Sequence, residues 1–328
     1  MSFKENVRIS VVIPAYNCGS VLRKSMLNFK RQTVPRDSFE IILIDDCSDD
    51  GTQEILRPFV EEGFIRYIRN KKKTAPAAGR NKGIDAASGE IILFLDGDNV
   101  PAVDLLEKHL ESHRHYPAGN TAVLGNIAHP VDMKITPLML LDDLSETFSG
   151  LRDGFFYGWE YFATTNISIR KNVLGDIRFN EMLFADCGGF EDTDLAFRLS
   201  KRGLRILYNG GAVSWHYHFR TPAQFLEKIY KYGNIFGKWL DTADPSLKTE
   251  SGFISRYLPY HGGGFTVKRA KYFIQRCIIN DRTIPFFLKL ARGLEKNNEK
   301  MSVFLYRRMF NYFFVKGYRE RLNKGGIS

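Results

Sequence analysis

A chain of 328 residues with 44% hydrophobic, 13% aromatic and 26% charged residues holds enough apolar material for one large or two smaller cores. That composition excludes wholesale disorder, a collagen-like repeat and a disulfide-stapled miniprotein. The net charge of +10 belongs to one end: residues 251–328 carry 16 Lys and Arg against 4 Asp and Glu, whereas the first 250 carry 31 against 33. Such a tail suits an anionic partner, be it phospholipid headgroups, a phosphorylated lipid carrier or nucleic acid.

Cys18, Cys47, Cys187 and Cys277 form no CxxC pair, which argues against a zinc knuckle or redox dithiol and fits a reducing compartment. No apolar run approaches the roughly 18 residues of a membrane span, and MSFKENVRIS lacks the apolar core of a signal peptide. The expectation is a cytoplasmic protein.

Residues 9–16 form a β-branched apolar run ended by proline, and a helical pattern follows from Gly19 to about Arg31. The alternation continues with a strand over Glu40–Ile44, a helix from Gly51, a strand over Phe64–Ile68, a helix over Ala77–Ala86 and a strand over Glu90–Leu95. Strands alternating with helices predict βαβ crossovers and a mostly parallel sheet covered on both faces, with ligands bound beyond the carboxyl ends of the strands.

The residues after those runs are polar. Pro14, Tyr16 and Asn17 follow the first, Asp45 to Thr52 (DDCSDDGT) the second, and Asp96-Gly97-Asp98-Asn99 the Glu90–Leu95 strand. Caps and tight turns would account for each cluster taken singly. Two carboxylates about 5 Å apart, however, repel by roughly 3 kcal/mol at an effective dielectric near 20, so a bound cation is the economical account. Calcium loops fail on spacing. From Asp96 the fifth and sixth positions are Val100 and Pro101, and from Asp46 the twelfth is Arg57. A divalent ion shared with substrate phosphates, Mg²⁺ or Mn²⁺, fits the hard oxygen ligands better.

Glu191-Asp192-Thr193-Asp194 precedes a helical pattern over Leu195–Arg202, putting three carboxylates in a first turn. Capping needs fewer, so one of them is a candidate general base. Short strands are expected over Arg205–Tyr208 and Ala212–Trp215. The second runs into His216 and His218, whose i, i+2 spacing points both to one side of an extended segment, where at least one could join the Asp98 metal.

Val11 to Asn17, Ile44 to Thr52, Ala78 to Gly83, Phe94 to Asp98 and Glu191 to Leu195 together resemble the family 2 glycosyltransferases of GT-A fold, over residues 8 to about 218. The resemblance implies an inverting enzyme with a nucleotide-diphosphate-sugar donor, a UDP-sugar first. It implies Pro14, Tyr16 and Asn17 with Asp45 or Asp46 around base and ribose, Arg80 toward the base or diphosphate, and Asn166 near donor sugar and acceptor. Asp96 and Asp98 stand at the DXD motif, with Asp98, Asp96 and His216 as metal residues, Asp192 as catalytic base and Glu191 its neighbour. Gly79 follows Ala77-Ala78 where many members have Ala-Arg directly.

The expected domains are a GT-A catalytic domain over 1–220, its donor part in 1–100 and its acceptor side in 101–220, and a helical extension over 221–328. Helical patterns run over Phe225–Trp239, Arg269–Ile279 and Phe286–Tyr318, with a glycine-rich break at His261–Gly264. The last helix mixes Phe304, Phe310, Phe313 and Phe314 with Arg307, Arg308, Lys316, Arg319 and Arg321, as a helix packed on the catalytic domain or one lying in a membrane interface would. The acceptor is then a carbohydrate or a lipid-linked molecule, on an anionic inner membrane face. Self-association is a second use of that surface. A non-catalytic nucleotide-sugar binder and a nucleic-acid-binding protein are the alternatives; the second leaves the acidic rim unexplained, and no nucleic acid is expected.

Overall fold

The structure, a computed structural model, describes residues 7–117, 119–142, 148–185, 188–242, 244–250, 253–254, 257–258 and 278–324. It divides into two compact units, residues 1–133 with 147–217, and residues 134–146 with 218–328.

The first unit is built on one sheet. Its strands are β1 (Ile9–Ala15), β2 (Phe39–Asp45), β3 (Arg66–Arg69), β4 (Ile91–Leu95), β5 (Asn99–Pro101), β6 (Thr121–Ala128), β7 (Phe156–Tyr157), β8 (Asn166–Arg170) and β9 (Arg205–His216). Its main helices are α1 (Gly19–Phe29), α2 (Thr52–Glu61), α3 (Pro76–Ala86), α4 (Leu105–His115) and α5 (Glu191–Ser200). The strand order is β3-β2-β1-β4-β8-β6-β9-β5, with β7 added on β9. Every residue of β4 is buried, as is all of β1 but Pro14, so helices and loops cover both faces and the runs show no polar alternation. Ile9, Val11 and Ile13 pack with Leu22, Met26 and Phe29 of α1 and with Phe39, Ile41 and Leu43 of β2. Each such side chain contributes about 1.5–3 kcal/mol on burial.

The parallel reading holds for β3, β2, β1 and β4 and again for β6 with β9; β8 runs antiparallel to both β4 and β6, and β5 and β7 antiparallel to β9. The two strands expected over 205–208 and 212–215 are one strand, β9. Its Asn209-Gly210-Gly211 stretch is passed by a register shift opposite Gly125/Asn126 of β6. That irregularity stays hydrogen-bonded, Gly210 N donating to Asp153 and Gly211 N to the Asn209 side chain.

In the second unit, α6 (Pro222–Thr242) and α8 (Glu299–Lys324) pack together, and α7 (Ile284–Leu294) rests on α8. A Cβ at Gly233 would clash with the Phe314 carbonyl, and one at Gly317 with that of Tyr230, so the two glycines permit backbone contact between α6 and α8. Phe236, Trp239 and Phe314 are buried there. The single helix expected over Phe286–Tyr318 is two helices. Asn298 restarts the chain by accepting the Met301 N–H at 3.1 Å, the role of an N-cap, which periodicity alone conceals. The His261–Gly264 break and most of the Arg269–Ile279 helix lie outside the described residues.

Candidate active site

The ends of β1 and β2 are tied by the polar residues that follow them. Asp45 is fully buried and accepts from Ser48 N (3.0 Å), Ser48 Oγ (2.5 Å), the Tyr67 hydroxyl and Arg69 Nη1 (3.0 Å). It is an internal anchor. Asp46 is half-buried and fixes the segment before α3 by accepting from Thr74 N (2.8 Å), Thr74 Oγ1 (2.7 Å) and Asn70 Nδ2 (2.8 Å). Asp50 accepts from Thr52 N and Gly19 N, capping α2 and joining it to the start of α1. Asn17 exchanges hydrogen bonds with Asp49 across the gap. Tyr16 is exposed, and Lys73 Nζ stands 3.5 Å from the centre of its ring.

The Asp96-Gly97-Asp98 turn sits beyond β4. A Cβ on Gly97 would meet Cys18 Sγ at 2.8 Å and Pro14 O at 3.0 Å, so only glycine lets this turn lie against the end of β1. Gly97→Ala is expected to displace the turn and cost about 1–3 kcal/mol of stability through overpacking, which urea denaturation reads directly. The neighbouring Cys18 thiol is pushed up to about 12 by burial and by Asp98, so it stays protonated and is no nucleophile.

Pairing of β5 with β9 sets Asn99 opposite His216, and Tyr217 N donates to Asp98 O at 2.8 Å. The His216 Nε2 and Asp98 Oδ2 atoms are 3.4 Å apart. One carboxylate from the turn before β5 and one imidazole from the end of β9 thus converge, a donor set suited to Mn²⁺ or Mg²⁺. His218 is buried and belongs to the second unit, where Arg220 Nη1 lies 3.1 Å from its Nε2.

Arg80 is 4% exposed and spans two segments, pairing Nη2 with Asp96 Oδ1 (2.9 Å) and Nη1 with Glu191 Oε1 (2.8 Å), its guanidinium 5.7 Å from the Phe179 ring. Burial opposes its charge, but Asp96, Glu191 and Asp192 outweigh burial and hold it protonated. A second bridge runs through Thr164-Thr165: Thr165 Oγ1 donates to Asp96 Oδ2 at 2.9 Å and Thr164 N to Asp192 Oδ2 at 3.5 Å. Helix α5 begins at Glu191, four residues earlier than its apolar pattern, after Phe190 in the left-handed region at φ +66. Asn17 (φ +50) and Cys47 (φ +68) are the other described non-glycine residues with positive φ, and both follow site strands, where such strain concentrates. Burial first, and the Glu191 charge second, raise the Asp192 carboxyl to about 6.

Two of the expected site residues, Arg80 and Asn166, lie inside the fold. Both terminal nitrogens of Arg80 pair with carboxylates of the fold, one with buried Glu191 and one with half-buried Asp96. Asn166 is fully buried, its Nδ2 donating to Asn126 O and Ala212 O, its Oδ1 3.0 Å from His109 Nε2. Burial pushes His109 down to about 4, so that ring is neutral and serves as a strut. Thr164 and Thr165, just before Asn166, are the residues of this segment that reach Asp192 and Asp96. Asp96 gives its oxygens to Arg80 and Thr165, leaving Asp98 beside His216.

A curled mixed sheet with helices on its faces and acidic turns at one rim defines a GT-A glycosyltransferase. The sequence profile described as Glycosyl transferase family 2 matches residues 10–174, and the chain belongs to that family. It is 36% identical over 240 residues to glycosyltransferase AglE of Haloferax volcanii, covering 69% of this chain and 71% of AglE. It is 23% identical over 328 residues to the dolichyl N-acetyl-alpha-D-glucosaminyl phosphate 3-beta-D-2,3-diacetamido-2,3-dideoxy-beta-D-glucuronosyltransferase of Methanococcus voltae, covering 94% and 96%. Among solved structures, mannosyltransferase PcManGT of Pyrobaculum calidifontis, bound to GDP-Man and Mn²⁺, has the same fold at TM-score 0.61 and 17% identity, over 96% of this chain and 87% of that one. Among the described residues no helix is long and apolar enough to cross a membrane.

Proposed function

We propose that this glycosyltransferase inverts the anomeric centre of a sugar delivered as a nucleotide diphosphate, with a divalent metal and with Asp192 as the base. The observation that carries the reading is the Asp192 carboxyl, raised to about 6 and tied through Arg80 and Thr164-Thr165 to the turn that bears Asp98. Asp98 and His216 would hold the metal. When bound, it supplies Lewis-acid neutralisation of charge on the leaving diphosphate.

The chain's own residues do the rest. Tyr16 and Asn17, beyond Pro14, with Asp46 form the rim where base and ribose bind. Asp192 takes the proton of the acceptor hydroxyl as its oxygen attacks the anomeric carbon and the bond to the diphosphate breaks on the opposite side. Ionised at neutral pH yet more basic than an ordinary aspartate, Asp192 is matched to that task. Glu191 and Arg80 set its basicity. In this reading the first unit carries the chemistry and residues 221–328 form an extension. A lipid-linked acceptor is favoured by the phosphodolichol sugar in the Methanococcus relative's name and by the basic tail.

Thermal denaturation with UDP, GDP and their sugars tests the reading. Nucleotide plus Mn²⁺ is expected to raise the midpoint by several degrees, since ligand at about 100 times Kd adds about 2.7 kcal/mol. Asp98→Ala and His216→Ala should abolish the metal-dependent part of that rise, and an undiminished rise in both would remove them as ligands.

A further inference from the structure

We infer that the hairpin of α7 and α8 docks on a bilayer surface containing anionic lipid. The sequence directs attention to the aromatic residues along the last helix, but Phe314 is buried against α6, and Tyr306, Met309 and Tyr312 are buried with it. Of those aromatic residues Phe304 is exposed, and the other exposed apolar groups lie outside that set. Phe286 (63% exposed) and Leu290 (39%) stand one turn apart on α7, and Met301 (44%) and Phe304 (48%) one turn apart at the start of α8. Ile278 is also exposed.

Helix α7 has a narrow inner face. Ile284 and Ala291 are its buried residues, and the hairpin closes where Ser302 Oγ donates to Ala291 O at 2.9 Å and Tyr306 Oη to Glu295 at 2.8 Å. Phe287, Leu288 and Leu294 are half-buried, and Phe286 and Leu290 are exposed with Lys289 and Arg292. A concentration of large apolar side chains on one exposed hairpin calls for an occupant.

Charge selects it. From residue 282 to 308 there are seven Lys and Arg (Arg282, Lys289, Arg292, Lys296, Lys300, Arg307 and Arg308) against Glu295 and Glu299, and Glu295 is turned inward to Tyr306. The Arg308 guanidinium lies 4.7 Å from the Phe304 ring, a cation beside an aromatic wedge. A second copy would meet like charge, and a soluble polyanion would leave Phe286 and Leu290 in water. An anionic bilayer satisfies both, its acyl chains taking the apolar groups and its headgroups the cations. The chain rests on such a surface and does not span it with any described helix.

Flotation of the full chain with phosphatidylcholine vesicles, with and without phosphatidylglycerol, at low and high salt, tests this. Binding to anionic vesicles that weakens with salt is expected, while neutral vesicles are left unbound. The double substitution Phe286→Ser with Leu290→Ser should lower partitioning roughly tenfold or more. Lys289→Glu with Arg292→Glu should do so as well, with nucleotide binding and thermal midpoint unchanged. Absence of binding to anionic vesicles overturns the inference, as does binding by both variants undiminished from that of the parent. Self-association in sedimentation velocity that these substitutions abolish would assign the hairpin to a second copy instead. None of these readouts depends on sugar transfer, so the two proposals fail separately.

Discussion

Asp192→Asn is expected, on the proposed mechanism, to cut transfer by about 10²–10⁴ while leaving donor and metal affinity within a factor of about two, because it removes the proposed proton acceptor and little else. The carboxamide oxygen can still accept from Thr193 N, as Asp192 Oδ1 does at 2.8 Å, so the start of α5 should hold. In the parent enzyme kcat/KM should fall on the acid side with a midpoint near pH 6, the Asp192 value. Glu191→Gln should move that midpoint lower, because the Glu191 charge is part of what raises it.

Stability moves the other way. The folded-state pKa of Asp192 lies above the ordinary 3.8, so the folded chain binds this proton more tightly than the unfolded one. The contribution is favourable at low pH and is lost as pH rises through about 6. Asp192→Asn should therefore be more stable than the parent at pH 8, on the order of 2–3 kcal/mol, and show no such gain near pH 4. Urea titrations at the two pH values, beside a progress curve of transfer, check both halves. An active variant, or a gain that grows toward acid, would remove Asp192 from the role.

Arg80→Met is expected to be among the most destabilising single changes, about 3–5 kcal/mol, because it strands Asp96, Glu191 and Asp192 in a poorly solvated pocket. Methionine preserves most of the volume against Phe179, so lost packing is a small part of the effect. Arg80 lowers the Asp192 pKa in the parent, so its removal raises it further. A raised carboxyl pKa costs stability as pH rises, and the penalty should be larger at pH 8 than at pH 5. The acid limb of the rate profile should shift to higher pH in any variant that folds. Denaturant midpoints at both pH values decide it; a pH-independent loss would mean that Arg80 acts by packing alone.

The parts of the site legible in the sequence are those made by contiguous chain. Asp96-Gly97-Asp98 follows a buried strand, and Glu191-Asp192 opens a helix; in each case local pattern and chemistry coincide within five residues. Residues 101–190 resisted reading because Asn99–Pro101 and Phe156–Tyr157 are too short to show a period, and Gly125 interrupts the apolar run of β6. That stretch nonetheless supplies Thr164 and Thr165.

Order along the chain and side-chain chemistry suffice for the alternation of strands and helices, the acidic rim and the family, since burial period and turn residues are local properties. Tertiary structure alone decided partners. Arg80 and Glu191 are 111 residues apart, and Asn99 meets His216 only because β5 pairs with β9. Which nitrogen faces which carboxylate, and hence whether Arg80 binds a ligand or holds the site together, depends on how separate segments pack. An arginine in a helical pattern looks the same in either role; only the carboxylates brought to it by folding, and the water excluded around them, distinguish the two.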